Sequence, residues 1–149
     1  MAGEAGVEID DRGPQRIELL LGPSFDGVDE AEQATEMFAR AAGFEEDLAC
    51  HLAMALREAA INGLLHGNRQ APEKRVRVTC ESTKEALTIT VVDQGEGMDP
   101  ETIPDPLAPE NLMKSSGRGV LLMRSIMDEV YFTKLATGME VRMVKRRET

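Results

Sequence analysis

The 149-residue chain is long enough for one domain with a single sizeable core. It carries 17 basic and 27 acidic side chains, a formal net charge of −10, so phosphate backbones are repelled and direct nucleic-acid binding is disfavoured as a main role. Apolar residues make up 42% but aromatics only 3%, with no Trp, so the core must be built from Leu, Val, Ile, Met and Ala.

Residues 1–13, rich in Gly and acids, read as a disordered tail, and residues 14–149 as one domain. The tail lacks the charged-then-apolar layout of a signal peptide. Residues 16–21 alternate, with Ile17, Leu19 and Leu21 on one face, which predicts a strand. Gly22, Pro23 and Ser24 break it. Residues 26–42 then place Val28, Ala31, Ala34, Phe38 and Ala41 near helical spacing, and Gly43 caps the end. Residues 45–66 form the strongest helical stretch. It opens on acids, as a helix N-terminus favours, and closes on the stop signal His66-Gly67-Asn68. No uninterrupted apolar run reaches the roughly 18 residues of a membrane span. Cys50 and Cys80 make no CxxC pair, and each falls in an apolar pattern. They read as buried free thiols in a reducing compartment, so a cytoplasmic protein with no membrane partner is expected.

Two strands follow, at 75–81 with Val76, Val78 and Cys80 on one face, and at 87–93 with Leu87, Ile89, Val91 and Asp93 on one face. A hairpin through 82–85 joins them. From 94 to 116 the pattern collapses around Gly95, Gly97, Pro100, Pro104, Pro106 and Pro109. A loop this long in a small domain is a functional lid or is disordered. A helix over 119–127 and strands at 129–135 and 139–145 close the chain. The order implies an α+β two-layer sandwich, with helices on one face of a mixed, mostly antiparallel sheet.

Three short segments carry polar residues where an apolar core is otherwise predicted. In Glu58-Ala-Ala-Ile-Asn62 the spacing of four puts a carboxylate and an amide on one helix face. Such a pair suits proton transfer beside an amide oxygen that ligates a hard cation; it also suits a plain helix-surface pair or a cap on a neighbouring loop. In Asp93-Gln-Gly95-Glu-Gly97 the strand register points Asp93 into the core, where a carboxylate needs donors, and the glycines allow close backbone approach. An ordinary strand-to-turn exit is the competing reading. In Ser115-Ser116-Gly117-Arg118-Gly119-Val120, glycines open a helix whose N-terminus favours anions. A plain glycine-rich helix entry would look the same. The order of the three segments is more specific than any one of them.

In that order the segments resemble the N box and the two glycine boxes of the GHKL ATPases, and most closely the anti-sigma-factor serine kinases. The likeness runs through Leu56-Arg-Glu58-Ala-Ala-Ile-Asn62-Gly-Leu-Leu-His66-Gly67, then Asp105-Pro106 and Glu110-Asn111-Leu112, then Gly117-Arg-Gly119-Val-Leu-Leu-Met-Arg-Ser-Ile-Met127-Asp128-Glu129-Val130. The resemblance implies the GHKL (Bergerat) ATP-binding fold and a protein serine/threonine kinase. Glu58 would be the general base and Asn62 the ligand of Mg²⁺ on ATP. Asp93 would bind the adenine amino group, with Gly95, Gly97 and Met98 shaping its pocket. The lid end at Ser115 and Ser116, with Gly117, Arg118, Gly119 and Val120, would close over the phosphates.

The resemblance also implies partners: a STAS-type anti-sigma-factor antagonist as phosphoacceptor, a sigma factor held inactive by binding, and a second copy of the chain, since related kinases pair. Three residues or residue types depart from the pattern. Met139 stands where many relatives carry a Thr that reaches the adenine site. Arg57 replaces a small polar residue beside the base. Only His51 and His66 are present, and no phosphoacceptor His segment precedes the domain, so an autophosphorylating sensor kinase is not expected. Two further readings compete with the kinase: a GHKL-fold regulatory module that uses nucleotide as a structural ligand without phosphotransfer, and a catalytic domain cut from a larger GHKL machine.

Overall fold

The computed structural model describes residues 3–10, 13–69, 71–95 and 115–148. Two strands, β1 (Gly3–Asp10) and β2 (Gly13–Leu21), lead into helices α1 (Phe25–Ala41) and α2 (Glu46–Asn62). A wide π-helical turn, Gly63–Gly67, extends α2. The hairpin of β3 (Val76–Ser82) and β4 (Ala86–Val92) precedes helix α3 (Ser115–Ile126), and β5 (Glu129–Lys134) and β6 (Met139–Arg146) complete the sheet. The strand order is β1-β2-β3-β4-β6-β5, and each of these pairings is antiparallel.

Two expectations change here. The sheet is not mixed: every connection between described neighbours reverses direction. Residues 3–10 do not form a disordered tail. They pair with β2 in a register that sets Val7 opposite Ile17, with irregularities between Glu4 and Gly6 and between Glu8 and Ile9. Ala5, Val7 and Ile9 do alternate there, but they stand among Gly and acids, a composition that argues against a strand and hides the period.

Alternation builds the core. Ile17, Cys80, Ile89, Met143 and Val130 lie side by side across five strands, and so do Leu19, Val78, Val91, Val141 and Phe132. The first four members of each row are buried, and Val130 and Phe132 pack against the same cluster. The opposite face carries Arg16, Arg77, Thr79, Glu81, Thr90 and Arg142, none of them buried, so the helices cover one face only. Helix α2 is central, with Ala49, Leu52, Ala53, Ala55, Leu56, Ala59 and Ala60 buried. Each fully buried Leu of this kind contributes about 1.5–3 kcal/mol. The 20 residues Glu46–Leu65 are on average long and apolar enough to cross a membrane, which the count of uninterrupted apolar residues missed. In the fold that apolarity is spent on the sheet and on α1.

Polar ties fix the helices. Arg57 reaches across to α1, with Nη1 2.6 Å from Asp29 and 3.1 Å from Glu32. The unexpected Arg57 therefore has a structural use, tying α2 to α1. Behind α3, the Asp128 carboxylate accepts the backbone N–H of Arg146 at 2.7 Å, and Lys145 Nζ donates to the Ile126 carbonyl at 3.1 Å. The Met127-Asp128-Glu129-Val130 segment thus fastens α3 to β6. Arg147 pins the far end, donating to Ala42 O (2.8 Å), Ser82 Oγ (2.6 Å) and Thr83 O (2.9 Å) while stacking 4.7 Å from the Phe44 ring. Cys80 is buried beside the Thr35 hydroxyl, 3.6 Å away, and burial pushes its thiol up to about 12. Cys50, expected to be buried, is exposed on α2: the helical stripe that covers the sheet falls on Ala49, Leu52 and Ala53 instead.

Candidate functional site

Glu58 and Asn62 sit one turn apart on α2, both half-buried, on the side that meets α3. The close contact is made by Gly119. A Cβ at that position would lie 2.9 Å from Glu58 Oε2 and 3.7 Å from Asn62 Nδ2. Only glycine brings the first turns of α3 this near a carboxylate without displacing it. Helix α3 begins at Ser115, a turn earlier than the spacing of its apolar residues predicts, so Ser115, Ser116, Gly117, Arg118, Gly119 and Val120 all lie in its first two turns. Free backbone N–H groups and the positive end of the helix dipole are gathered at that end. Arg118 is exposed and Val120 half-buried. The arrangement sets one carboxylate and one amide beside the N-terminus of a helix, an end whose dipole favours anions.

Asp93 marks the second end of the site. In the third row of the sheet, after Leu21 and Val76, it takes the place of an apolar residue and is 7% exposed. Its backbone N–H donates to Met139 O at 3.1 Å, which continues the β4–β6 ladder by one residue. Its Oδ1 accepts two backbone N–H groups, from Gly95 at 3.0 Å and Met139 at 3.1 Å. Burial nonetheless holds the carboxyl above its ordinary value, against the pull of those two donors and of Lys74.

Glycines from three separate segments close around this carboxylate. A Cβ on Gly67 would come within 2.2 Å of Asp93 Oδ2, one on Gly138 within 1.9 Å of the Asp93 carbonyl oxygen, and one on Gly95 within 2.1 Å of Gly67 O. Gly138 also has φ +104°, a conformation that side chains disfavour. Gly63, at the start of the π turn, is buried with its missing Cβ 3.5 Å from that of Asp93. Single π turns of this kind concentrate at functional sites.

A ring of polar contacts ties the two ends together. Asn68 is 2% exposed and follows the π turn, its N–H closing the turn onto Gly63 O at 2.8 Å. Its Oδ1 accepts the Gln94 N–H at 2.6 Å, and its Nδ2 donates to Arg75 O at 3.0 Å. Gln94 Oε1 in turn accepts the Arg75 N–H at 2.6 Å.

The structure therefore brings Glu58, Asn62 and Gly119 together, and brings Asp93 and Gly95 together. Gly97 and Met98 lie outside the described residues, as do most of the loop at 94–116 and the matched segments at 105–106 and 110–112. Sequence reasoning missed Gly63, Gly67, Asn68, Gly138 and the backbone of Met139. The only available signals were the Gly spacing within Gly63–Gly67 and the His66-Gly67-Asn68 stop, which reads equally well as a helix end. Met139 replaces the expected Thr, but the contact it makes to Asp93 comes from its main chain, which any non-proline residue supplies.

Residues 22–145 match the family model of the histidine kinase-like ATPase domain. The chain is 32% identical over 76 residues to the anti-sigma F factor of Clostridium beijerinckii, a stretch covering 50% of this chain and 53% of that protein. The chain thus spans about half the length of this curated relative. Among solved structures, the histidine kinase domain of a blue-light activated histidine kinase from Erythrobacter litoralis has a TM-score of 0.53 at 17% identity, over 95% of this chain and 65% of that one. At that identity the likeness concerns the fold alone, and it agrees with an antiparallel sheet covered by helices on one side. The family match runs through α2, the Asp93 cage and α3 without interruption, and the chain belongs to the histidine kinase-like ATPase family.

Proposed function

We propose that the protein is a serine/threonine kinase of the anti-sigma-factor kind, which binds Mg-ATP, holds a sigma factor inactive and phosphorylates a STAS-type antagonist. The observation that carries this reading is the Glu58–Asn62 pair set against Gly119 at the start of α3. The partial likeness to an anti-sigma F factor supports the choice of partners, and the exposed and buried free thiols of Cys50 and Cys80 suit the cytoplasm.

The residues present fit such a ligand. Asp93 offers a carboxylate acceptor for an exocyclic amine, in a cage that glycines keep clear of side chains. Asn62 offers an amide oxygen to a divalent cation, which needs only one or two protein oxygens when phosphates and water complete its shell. The first turn of α3 directs N–H groups to the phosphate end. Mg-ATP, when bound, supplies the transferable phosphoryl group and the divalent charge that offsets its oxygens. Glu58 then accepts the proton of the incoming Ser or Thr hydroxyl and orients that oxygen.

The test is phosphotransfer from labelled ATP to the STAS-domain protein encoded nearest this gene, with wild type and Glu58→Ala compared. Label on a Ser or Thr of the partner, lost in the variant while ATP affinity is kept, supports the kinase. Tight ATP binding with no label in either protein would leave a regulatory binding module.

A further inference from the structure

We infer that Asn68 is a positioning residue for purine selection: it locks the Asp93–Gly95 strand exit to the helix that carries Glu58 and Asn62. The inference rests on the nucleotide site proposed above. Asn68 is not placed to touch a nucleotide itself, because both ends of its buried amide are already engaged by protein. A carbonyl can only accept and an N–H only donate, so its two partners leave one orientation of the amide. Oδ1 faces Gln94 N–H and Nδ2 faces Arg75 O.

The consequence follows along the chain. The Gln94 N–H gripped at 2.6 Å belongs to the residue between Asp93 and Gly95. Fixing it fixes the Gly95 N–H, which is one of the two donors that aim Asp93 Oδ1. The other half of the ring, Arg75 N–H to Gln94 Oε1, holds the same peptide from the side of β3. Asn68 itself hangs from the π turn through its N–H to Gly63 O, one residue after Asn62. The adenine-side carboxylate is therefore indexed to α2 by one side chain.

A carboxylate held still discriminates between purines. It accepts from an exocyclic amine at the adenine 6-position and repels the carbonyl oxygen that guanine presents there. Releasing the strand exit lets Asp93 rotate away from both.

The experiment measures Kd for ATP and for GTP, each with Mg²⁺, by calorimetry on the full chain, for wild type, Asn68→Ala and Gln94→Ala, with thermal melts of each. The Gln94 side chain is exposed, so its variant folds even if Asn68→Ala does not. Asn68→Ala should weaken ATP binding about tenfold, as expected for the loss of neutral hydrogen bonds, and should narrow the ATP-to-GTP ratio. Gln94→Ala should narrow that ratio in the same direction and by less. A ratio unchanged in the folded variants, whatever their melting temperatures, overturns the inference. If Asn68→Ala does not fold, Asn68→Ser, a smaller polar side chain that loses the paired grip on Gln94 N–H and Arg75 O, takes its place, and Gln94→Ala, which keeps the Asn68 bond to the Gln94 N–H, tests the other half of the ring. Wild type that fails to prefer ATP over GTP refutes the nucleotide site itself, which is a separate outcome.

Discussion

Asp93→Asn separates what the Asp93 carboxylate does for a ligand from what it does for the fold. Asn has the same shape, and its Oδ1 keeps both backbone donors, Gly95 at 3.0 Å and Met139 at 3.1 Å. What changes is the second oxygen, beside Gly67, which becomes an NH₂ group. The folded protein should lose little. Burial raises the Asp93 carboxyl above its unfolded value, so its ionised form is disfavoured in the native state. A raised carboxyl contributes stability that is fully present below the unfolded value and is lost as pH rises through the folded one. As pH rises above the unfolded value the wild type progressively loses that contribution, and the neutral amide does not. The variant should therefore melt at or above wild type near neutrality, with the difference closing on acidification toward pH 4. Nucleotide binding should move the other way. A hydrogen bond from an amine to an ionised acceptor contributes about 1.5–3 kcal/mol, roughly ten- to a hundredfold in Kd, and the variant meets that amine with a second donor. Calorimetry with ATP beside melts from pH 4 to 8 reads both effects. ATP affinity within twofold of wild type, or a variant that melts well below it at pH 7, would refute the assignment of Asp93 as an acceptor kept for a ligand.

Gly138→Ala forces a side chain into positive φ and into contact with the Asp93 carbonyl oxygen, 1.9 Å away. Strain of that kind costs of order 1–3 kcal/mol before the overlap is counted, so urea denaturation should show a loss of at least about 2 kcal/mol. Gly119→Ala should leave stability unchanged or higher, since Ala favours helix by up to about 1 kcal/mol. Its Cβ would nevertheless stand 2.9 Å from Glu58 Oε2 and oblige that carboxylate end to shift by a few tenths of an ångström; with a 1 Å misplacement costing about 100-fold, a loss of roughly three- to tenfold in transfer rate is expected if Glu58 is the base. Single-turnover transfer to the antagonist, with ATP affinity as control, measures it. Arg147→Ala removes three hydrogen bonds of 2.6–2.9 Å and a stack on Phe44. The loss should be about 2 kcal/mol by chemical denaturation, with unchanged ATP affinity, because the contacts lie at the opposite end of β3 and β4 from Asp93.

The parts of the fold that sequence reveals are those encoded by local period. The alternation of Ile17, Leu19 and Leu21 and of Val76, Val78 and Cys80 marks strands, and the Ala- and Leu-rich run after Glu46 marks the central helix. Periodicity also points Asp93 inward, and it is buried there. What it could not supply was any relation between segments distant in the chain. Gly67, Gly95 and Gly138 each look like ordinary turn residues in their own neighbourhoods. Their use appears only when a missing Cβ on one segment turns out to be the space that another segment's oxygen fills. Asn68 shows the same limit: as text it ends a helix, and in space it fastens three strand and helix ends. The sequence hides β1 for a different reason, since the alternation of Ala5, Val7 and Ile9 is diluted by Gly and acidic residues that disfavour strands.

Asp93 stands where an apolar side chain would serve the fold better. The third row of the sheet runs through Leu21 and Val76 to Asp93, and Met139 lies beside it on β6. A Val or Leu in place of Asp93 would bury apolar surface, need no donors and contribute about 1.5–3 kcal/mol. The chain instead keeps a carboxyl that burial disfavours, commits two backbone N–H groups to it, and surrounds it with glycines that cost conformational entropy. A rule of local consistency is broken at one position and compensated from three others, which is the pattern expected where selection acts on a ligand and not on stability. If stability alone governed that position, Asp93→Val should melt higher than wild type and bind ATP as well as it does. The cage predicts that Asp93→Val folds and loses ATP binding, and a thermal melt with and without ATP tells the two apart.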